Sequence, residues 1–139
     1  MKKYIRSMLS PLMFVALAGG ANAGDKISPQ AVDGATTVSA AEAKELFDNG
    51  TLFVDTRKDK DWSAGRIPDA VHLDVKKALS EDALSKEVKK DEAVVMYCNG
   101  ESCMRSSQAS AMAVEWGFSK VYYFRDGFPA WKSAGYPVE

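Results

Sequence analysis

The sequence predicts an α/β domain with a mostly parallel central sheet flanked by helices on both faces. Three observations carry this reading. Strand-length apolar runs recur as "TLFVDTR", "AVHLDV", "AVVMYC" and "KVYYF". The stretches between them include helix-like patterns, so strand and helix alternate. The runs "AVVMY" and "LFV" are apolar without alternation, as strands buried on both faces are.

The chain opens with a basic start (Lys2, Lys3, Arg6), an apolar run around Leu12 to Ala18 and the small-residue ending Ala21-Asn22-Ala23. That pattern is a secretory signal peptide over residues 1–23, with cleavage expected before Gly24. The apolar run is short for a bilayer span, so no stable membrane span is expected after cleavage. The lysine-rich start points to a bacterial periplasm, an oxidising compartment for cysteines. Cleavage leaves 116 of the 139 residues, enough for one domain. It removes three basic residues and leaves 15 Lys+Arg against 19 Asp+Glu. A net acidic chain of this kind gives no sign of nucleic-acid binding. Two cysteines are too few for a disulfide framework, and one histidine is too few to complete an ordinary zinc site with them.

Residues 24–36 are polar, contain Pro29 and Gly34 and lack a period; they read as a loosely packed N-terminal arm before a domain over 37–139. In "VSAAEAKELFDNG", Ser39 and Glu42 form a capping-box pair, Ala43, Leu46 and Phe47 share one face, and Asn49-Gly50 ends the helix. "TLFVDTR" is the next strand. "RKDKDW" reads as a solvated loop, and "AVHLDV" as a strand. "KKALSEDALSKEVKK" places Leu79, Leu84 and Val88 among charges, as an amphipathic surface helix does. "AVVMYC" and "KVYYF" are further strands, and "RSSQASAMAVEWGF" between them is a small-residue helix ending at Gly117.

Ligands of such sheets sit beyond the carboxyl ends of the strands. Cys98 falls there, directly after "AVVMY", and the loop behind it leads to a helix starting near Arg105. Backbone N–H groups and the positive end of a helix dipole favour thiolate over thiol, so the position suits a nucleophilic sulfur beside a bound anion. Arg105 supplies a permanently charged, bidentate donor for a sulfonate-like oxyanion. The plain alternatives are a small buried hydrophobe at Cys98 and a solvated arginine at Arg105.

The chain resembles the rhodanese-like sulfurtransferases from about Thr37 to Glu139. The resemblance rests on three blocks in the right order: "LFVDTRKDKDWSAGRIPDAVHLD", "VVMYC" and "GFSKVYYFRDGFPAWKSAGYPVE", where Gly127 and Trp131 match the family's closing pattern and Asp126 replaces its first glycine. It implies a cycle in which the Cys98 thiolate takes the outer sulfur of thiosulfate or a related small sulfur-containing anion. The resulting persulfide then passes that sulfur to a thiol or other thiophilic acceptor. Backbone N–H groups of Asn99, Gly100, Glu101, Ser102, Cys103 and Met104 would cradle the anion with Arg105, and the cycle needs no metal or organic cofactor. Family sulfurtransferases usually place four residues between nucleophile and basic residue, and related phosphatases and arsenate reductases five. Here six separate Cys98 from Arg105.

The longer loop also holds the second thiol. Cys103 is a resolving thiol that makes the site a redox switch or thiol oxidoreductase served by a periplasmic redox protein, a structural partner locked to Cys98 in a non-catalytic binding module, or a bystander or alternative nucleophile. Spacing alone does not give the geometry a disulfide needs. His72 reads as a satisfied, half-buried histidine. Asp55 and Arg57 read as a supporting pair at the strand end, with Arg57 adding positive potential. The three tryptophans and the Tyr122, Tyr123 and Phe124 run read as packing. Glu101, an acid inside an anion loop, is compatible with that role only if it faces solvent or a cation.

Overall fold

The computed structural model describes residues 27–139. The expected signal peptide and its cleavage point lie outside the described residues. The elements are β1 (Ala35–Thr37), α1 (Ala40–Asp48), β2 (Leu52–Asp55), α2 (Asp59–Ala64), β3 (Val71–His72), α3 (Glu81–Ser85), β4 (Ala93–Tyr97), α4 (Arg105–Glu115), β5 (Lys120–Phe124) and α5 (Gly127–Ser133). The strands form one sheet in the order β1-β5-β4-β2-β3, and every described pairing is parallel. The α/β expectation holds. Among the described residues no helix is long and apolar enough to cross a membrane.

Each face of the sheet carries an apolar layer. On one side Val54, Val94, Met96 and Val121 pack with Leu84 of α3 and Ala109 and Ala113 of α4. The alanines of α4 let its backbone approach the sheet closely, which accounts for the small-residue composition seen in the sequence. On the other side Phe53, Val95, Tyr97 and Phe124 pack with Ala43 of α1 and Phe128 and Trp131 of α5. Trp131 sits at the centre of this layer, with ring centroids 5.3 Å from Phe47, 5.7 Å from Phe53 and 5.0 Å from Tyr136. Its indole N–H donates to Pro137 O at 2.6 Å, so the aromatic body is buried without stranding its donor.

Local signals account for the ends of α1. Ser39 Oγ accepts from Glu42 N at 3.1 Å while the Glu42 carboxylate accepts from Ser39 N at 2.8 Å, completing the capping box; Gly50 at φ 82° turns the chain toward β2. Helix α4 ends as expected, with Gly117 at φ 96° two residues beyond Glu115.

Two expectations are corrected and a third is refined. "RKDKDW" is not merely a solvated loop: its residues from Asp59 onward open α2, with Asp59 and Asp61 in the first turn where the helix dipole favours acids. The expected helix through "KKALSEDALSKEVKK" shrinks to α3, because Asp74 ties down the preceding turn. Its carbonyl accepts from Lys77 N, Ala78 N and Leu79 N, and its Oδ1 from Lys76 N at 2.8 Å. Leu79, Leu84 and Val88 are all buried nonetheless. The N-terminal arm is mostly exposed over its described residues, as expected, but it is tied to the domain at two places. Its end, Ala35 and Thr36, belongs to edge strand β1, and Ser28 is 2% exposed.

Candidate active site

The sheet register builds the site. Asp55, Tyr97 and Phe124 lie side by side at the carboxyl edge of β2, β4 and β5, so Thr56-Arg57, Cys98 and Arg125 leave the sheet together. Both peptide carbonyls around Cys98 are anchored. Tyr97 O accepts from Thr56 N at 3.1 Å and Thr56 Oγ1 at 2.9 Å, and Cys98 O accepts from Phe128 N at 2.9 Å. Gly127 makes the last contact possible: it sits at φ 64°, and a Cβ there would overlap Cys98 O. Cys98 itself is fully buried.

The following loop is richer in donors than in acceptors for them. Cys103 N donates to Gly100 O at 3.0 Å, but among the described residues the N–H groups of Asn99, Gly100, Glu101, Ser102 and Met104 have no protein acceptor. Neither do those of Arg105, Ser106 and Ser107 in the first turn of α4, whose N-cap residue, Met104, makes no side-chain cap bond. A loop of unpaired donors ending at an uncapped helix dipole stabilises an anion or thiolate. Cys98 and Cys103 are joined in a disulfide across this loop, with Cα atoms 6.4 Å apart. Of the pair, Cys103 is partly exposed.

The arginines are deployed differently from the sequence expectation. Arg105 is paired within the protein: its Nη1 donates to Asp74 Oδ1 at 2.8 Å and Thr56 O at 3.2 Å. Burial by itself would raise the Asp74 pKa. The Lys76 N–H and the Arg105 guanidinium outweigh it and hold the carboxyl below the usual range. Arg105 thus ties α4 to the end of β2 and to the Asp74 turn, and supplies charge at the loop's rim.

Arg57 and Asp55 are the supporting pair expected. Arg57 Nε and Nη2 reach the Asp55 carboxylate at 2.9 and 2.7 Å, and Nη2 also donates to Gly65 O at 2.6 Å. Burial disfavours the Arg57 charge, but the hydrogen bond and charge of Asp55 prevail and raise its pKa. Tyr97 Oη completes the group, donating to Asp55 Oδ2 at 2.6 Å and accepting from Ile67 N; burial first, then Asp55, holds its phenol well above the usual range. Arg57 Nη1 donates to Asn99 Oδ1 at 3.1 Å, while Asn99 Nδ2 donates to Asp61 at 2.9 Å. This network fixes the residue directly after Cys98. His72 is satisfied, with Nε2 2.7 Å from Arg57 O and its ring stacked on Trp62 at 4.8 Å.

Glu101 faces outward, its carboxylate 3.5 Å from Arg125 Nη1, which answers the charge conflict posed by the sequence. Its carbonyl accepts from Ser28 N at 2.7 Å and Ser28 Oγ at 2.8 Å, and Arg125 Nη2 donates to Ser28 O at 3.0 Å. Sequence reasoning missed Ser28, Asp74 and Arg125 as site supports. Arg125 alone had a legible signal, a cation directly after a strand at the ligand-binding edge.

The comparisons concern the family and the fold. The family model described as Rhodanese-like domain matches residues 39–134. The thiosulfate sulfurtransferase GlpE of Pseudomonas savastanoi pv. phaseolicola is 36% identical over 98 residues, covering 70% of this chain and 87% of the relative. A sulfurtransferase of Allochromatium vinosum is 38% identical over 87 residues, covering 63% and 77%. Among solved structures, the rhodanese-like domain of an Anabaena protein matches with TM-score 0.64 at 24% identity over 74% of this chain and 77% of that one. The human single-domain sulfurtransferase matches with TM-score 0.60 at 22% identity over 70% and 95%; both likenesses concern the fold. Fold, motif order and relatives converge: the chain belongs to the rhodanese-like family of sulfurtransferases.

Proposed function

We propose that the reduced protein moves sulfane sulfur from thiosulfate or a related anion to a thiophilic acceptor through a persulfide on Cys98, in the periplasm after removal of residues 1–23. The observation that carries this is the position of Cys98: a buried sulfur at the end of β4, followed by a loop and helix start whose N–H groups, Cys103 N apart, have no protein acceptor among the described residues. The Cys98 thiolate attacks the outer sulfur of the donor. The donor's S–S bond breaks, its electron pair leaves on sulfite, and the sulfane sulfur stays on Cys98. The covalent intermediate divides one transfer into two steps. The loop donors stabilise the negative charge that passes from donor to persulfide.

The thiosulfate sulfurtransferase relatives, at 32–36% identity, support this donor class. The disulfide favours a second reading, in which Cys98 and Cys103 act together in thiol–disulfide exchange or sulfur relay. It also requires that transfer begin from the reduced form. Sulfite release from thiosulfate tests the proposal. Reduced wild type should release sulfite and reduced Cys98→Ser should not, since a serine hydroxyl stays protonated. Release by Cys98→Ser at the wild-type rate contradicts it.

A further inference from the structure

We propose that Cys103 is the built-in acceptor of this site: it attacks the Cys98 persulfide at its inner sulfur, expels hydrosulfide and leaves the Cys98–Cys103 disulfide. The inference rests on the Cys98 persulfide reading and adds a product, sulfide, and a required partner class, a dithiol reductant.

The disulfide shows that the loop brings the Cys103 sulfur to bonding contact with Cys98 Sγ, the atom that would carry the sulfane sulfur. The two cysteines are held unequally. Cys98 is clamped through both flanking carbonyls by Thr56 and Phe128, whereas Cys103 lies in the loop and its N–H bonds only the loop's own Gly100. Gly100, at φ 117°, gives the loop a turn that a side chain would strain. The fixed sulfur is therefore the loaded one and the loop sulfur the one that closes on it. The six-residue spacer between Cys98 and Arg105 supplies the reach, and the Arg105 pair with Asp74 anchors its far end.

The step balances. The Cys103 thiol gives up its proton, its sulfur bonds to Cys98 Sγ, and the persulfide S–S bond breaks with its electron pair on the outer sulfur, which leaves as hydrosulfide. The two cysteine sulfurs together lose two electrons and the sulfane sulfur gains them. With thiosulfate as donor, a full pass converts thiosulfate and two thiols into sulfite, hydrosulfide, one disulfide and a proton. The resulting disulfide presents a partly exposed Cys103 and a buried Cys98. An incoming thiolate therefore attacks Cys103 and displaces Cys98 as thiolate into the donor-rich loop, where a leaving thiolate is stabilised. The second thiol of the same reductant then resolves the mixed disulfide, leaving the reductant as a disulfide and both protein cysteines reduced.

The test is a single turnover. Wild type and Cys103→Ser, each checked for folding by circular dichroism, are reduced with dithiothreitol, desalted anaerobically and mixed with excess thiosulfate; sulfite, sulfide and intact mass are then read. Wild type should release about one sulfide for each sulfite and end lighter than its reduced form by two hydrogens. A second dithiothreitol treatment should restore a second equal burst. Cys103→Ser should release sulfite alone and keep one added sulfur atom. Sulfite without sulfide from wild type, with the sulfur retained on Cys98, overturns the inference and leaves the persulfide reading standing; the sulfur retained on Cys103 overturns both. Sulfide from Cys103→Ser at the wild-type yield also overturns it. No sulfite from reduced wild type overturns the persulfide reading and the inference with it.

Discussion

Gly127 shows how much of this site depends on single atoms. Its amide neighbour, Phe128 N, holds the Cys98 carbonyl, and its missing Cβ makes room for that carbonyl. Gly127→Ala should cost about 2–5 kcal/mol, combining the left-handed backbone penalty with overpacking against a fixed main chain. Urea unfolding checks this; a loss below about 0.5 kcal/mol would mean that the loop yields freely. Arg57 acts at the same scale by a different force. Removing it would strand the buried Asp55 carboxylate, a change that typically costs about 3–5 kcal/mol. The position of Cys98 at the strand end and the pairing of Asp55 with Arg57 were legible because they follow from position along the chain. The pairing of Arg105 with Asp74 was not. Asp74 lies 31 residues earlier, just past β3, and the two are brought near by the crossover from β3 through α3 to β4.

At the scale of elements, strong local chemistry was legible and tertiary choices were not. The capping box of α1 and the glycine ending α4 are written in neighbouring residues. Helix α2 lacks an apolar period, and β1 is the three-residue polar segment Ala-Thr-Thr, so each is decided by what it docks against. The Asp74 turn joins elements too, linking α4 to the end of β2, and gives a pH dependence with a definite sign. Its carboxyl has a lower pKa folded than unfolded. Its stabilising contribution is complete above the unfolded value of about 3.9 and is lost as pH falls through the depressed folded value. Asp74→Asn keeps an acceptor for Lys76 N and Arg105 but removes the charge. It should be less stable than wild type by about 1–3 kcal/mol at neutral pH, and the gap should close in acid below the usual carboxylate range. Urea midpoints across that range measure it, and a gap that stays constant with pH would show that the charge is not responsible.

At the scale of the whole molecule, the sheet carries a reactive edge whose supports come from both ends of the described chain: Ser28 near its start, Arg125 and Gly127 near its close. The arm that directly follows the proposed cleavage point is thus part of the site's frame. Export should produce a mature chain beginning at Gly24, with Ser28 retained. N-terminal sequencing of the periplasmic fraction checks this, and a soluble cytoplasmic product retaining Met1 would contradict it. The central claim is that Cys98 carries the sulfur, and peptide mass mapping tests it most directly. Reduced Cys103→Ser, whose one thiol is Cys98, is treated with thiosulfate and alkylated, and the mass of the peptide bearing Cys98 is read. The account predicts one added sulfur atom on the peptide bearing Cys98 and its loss on dithiothreitol treatment. An unmodified Cys98 peptide from folded, reduced protein would contradict it.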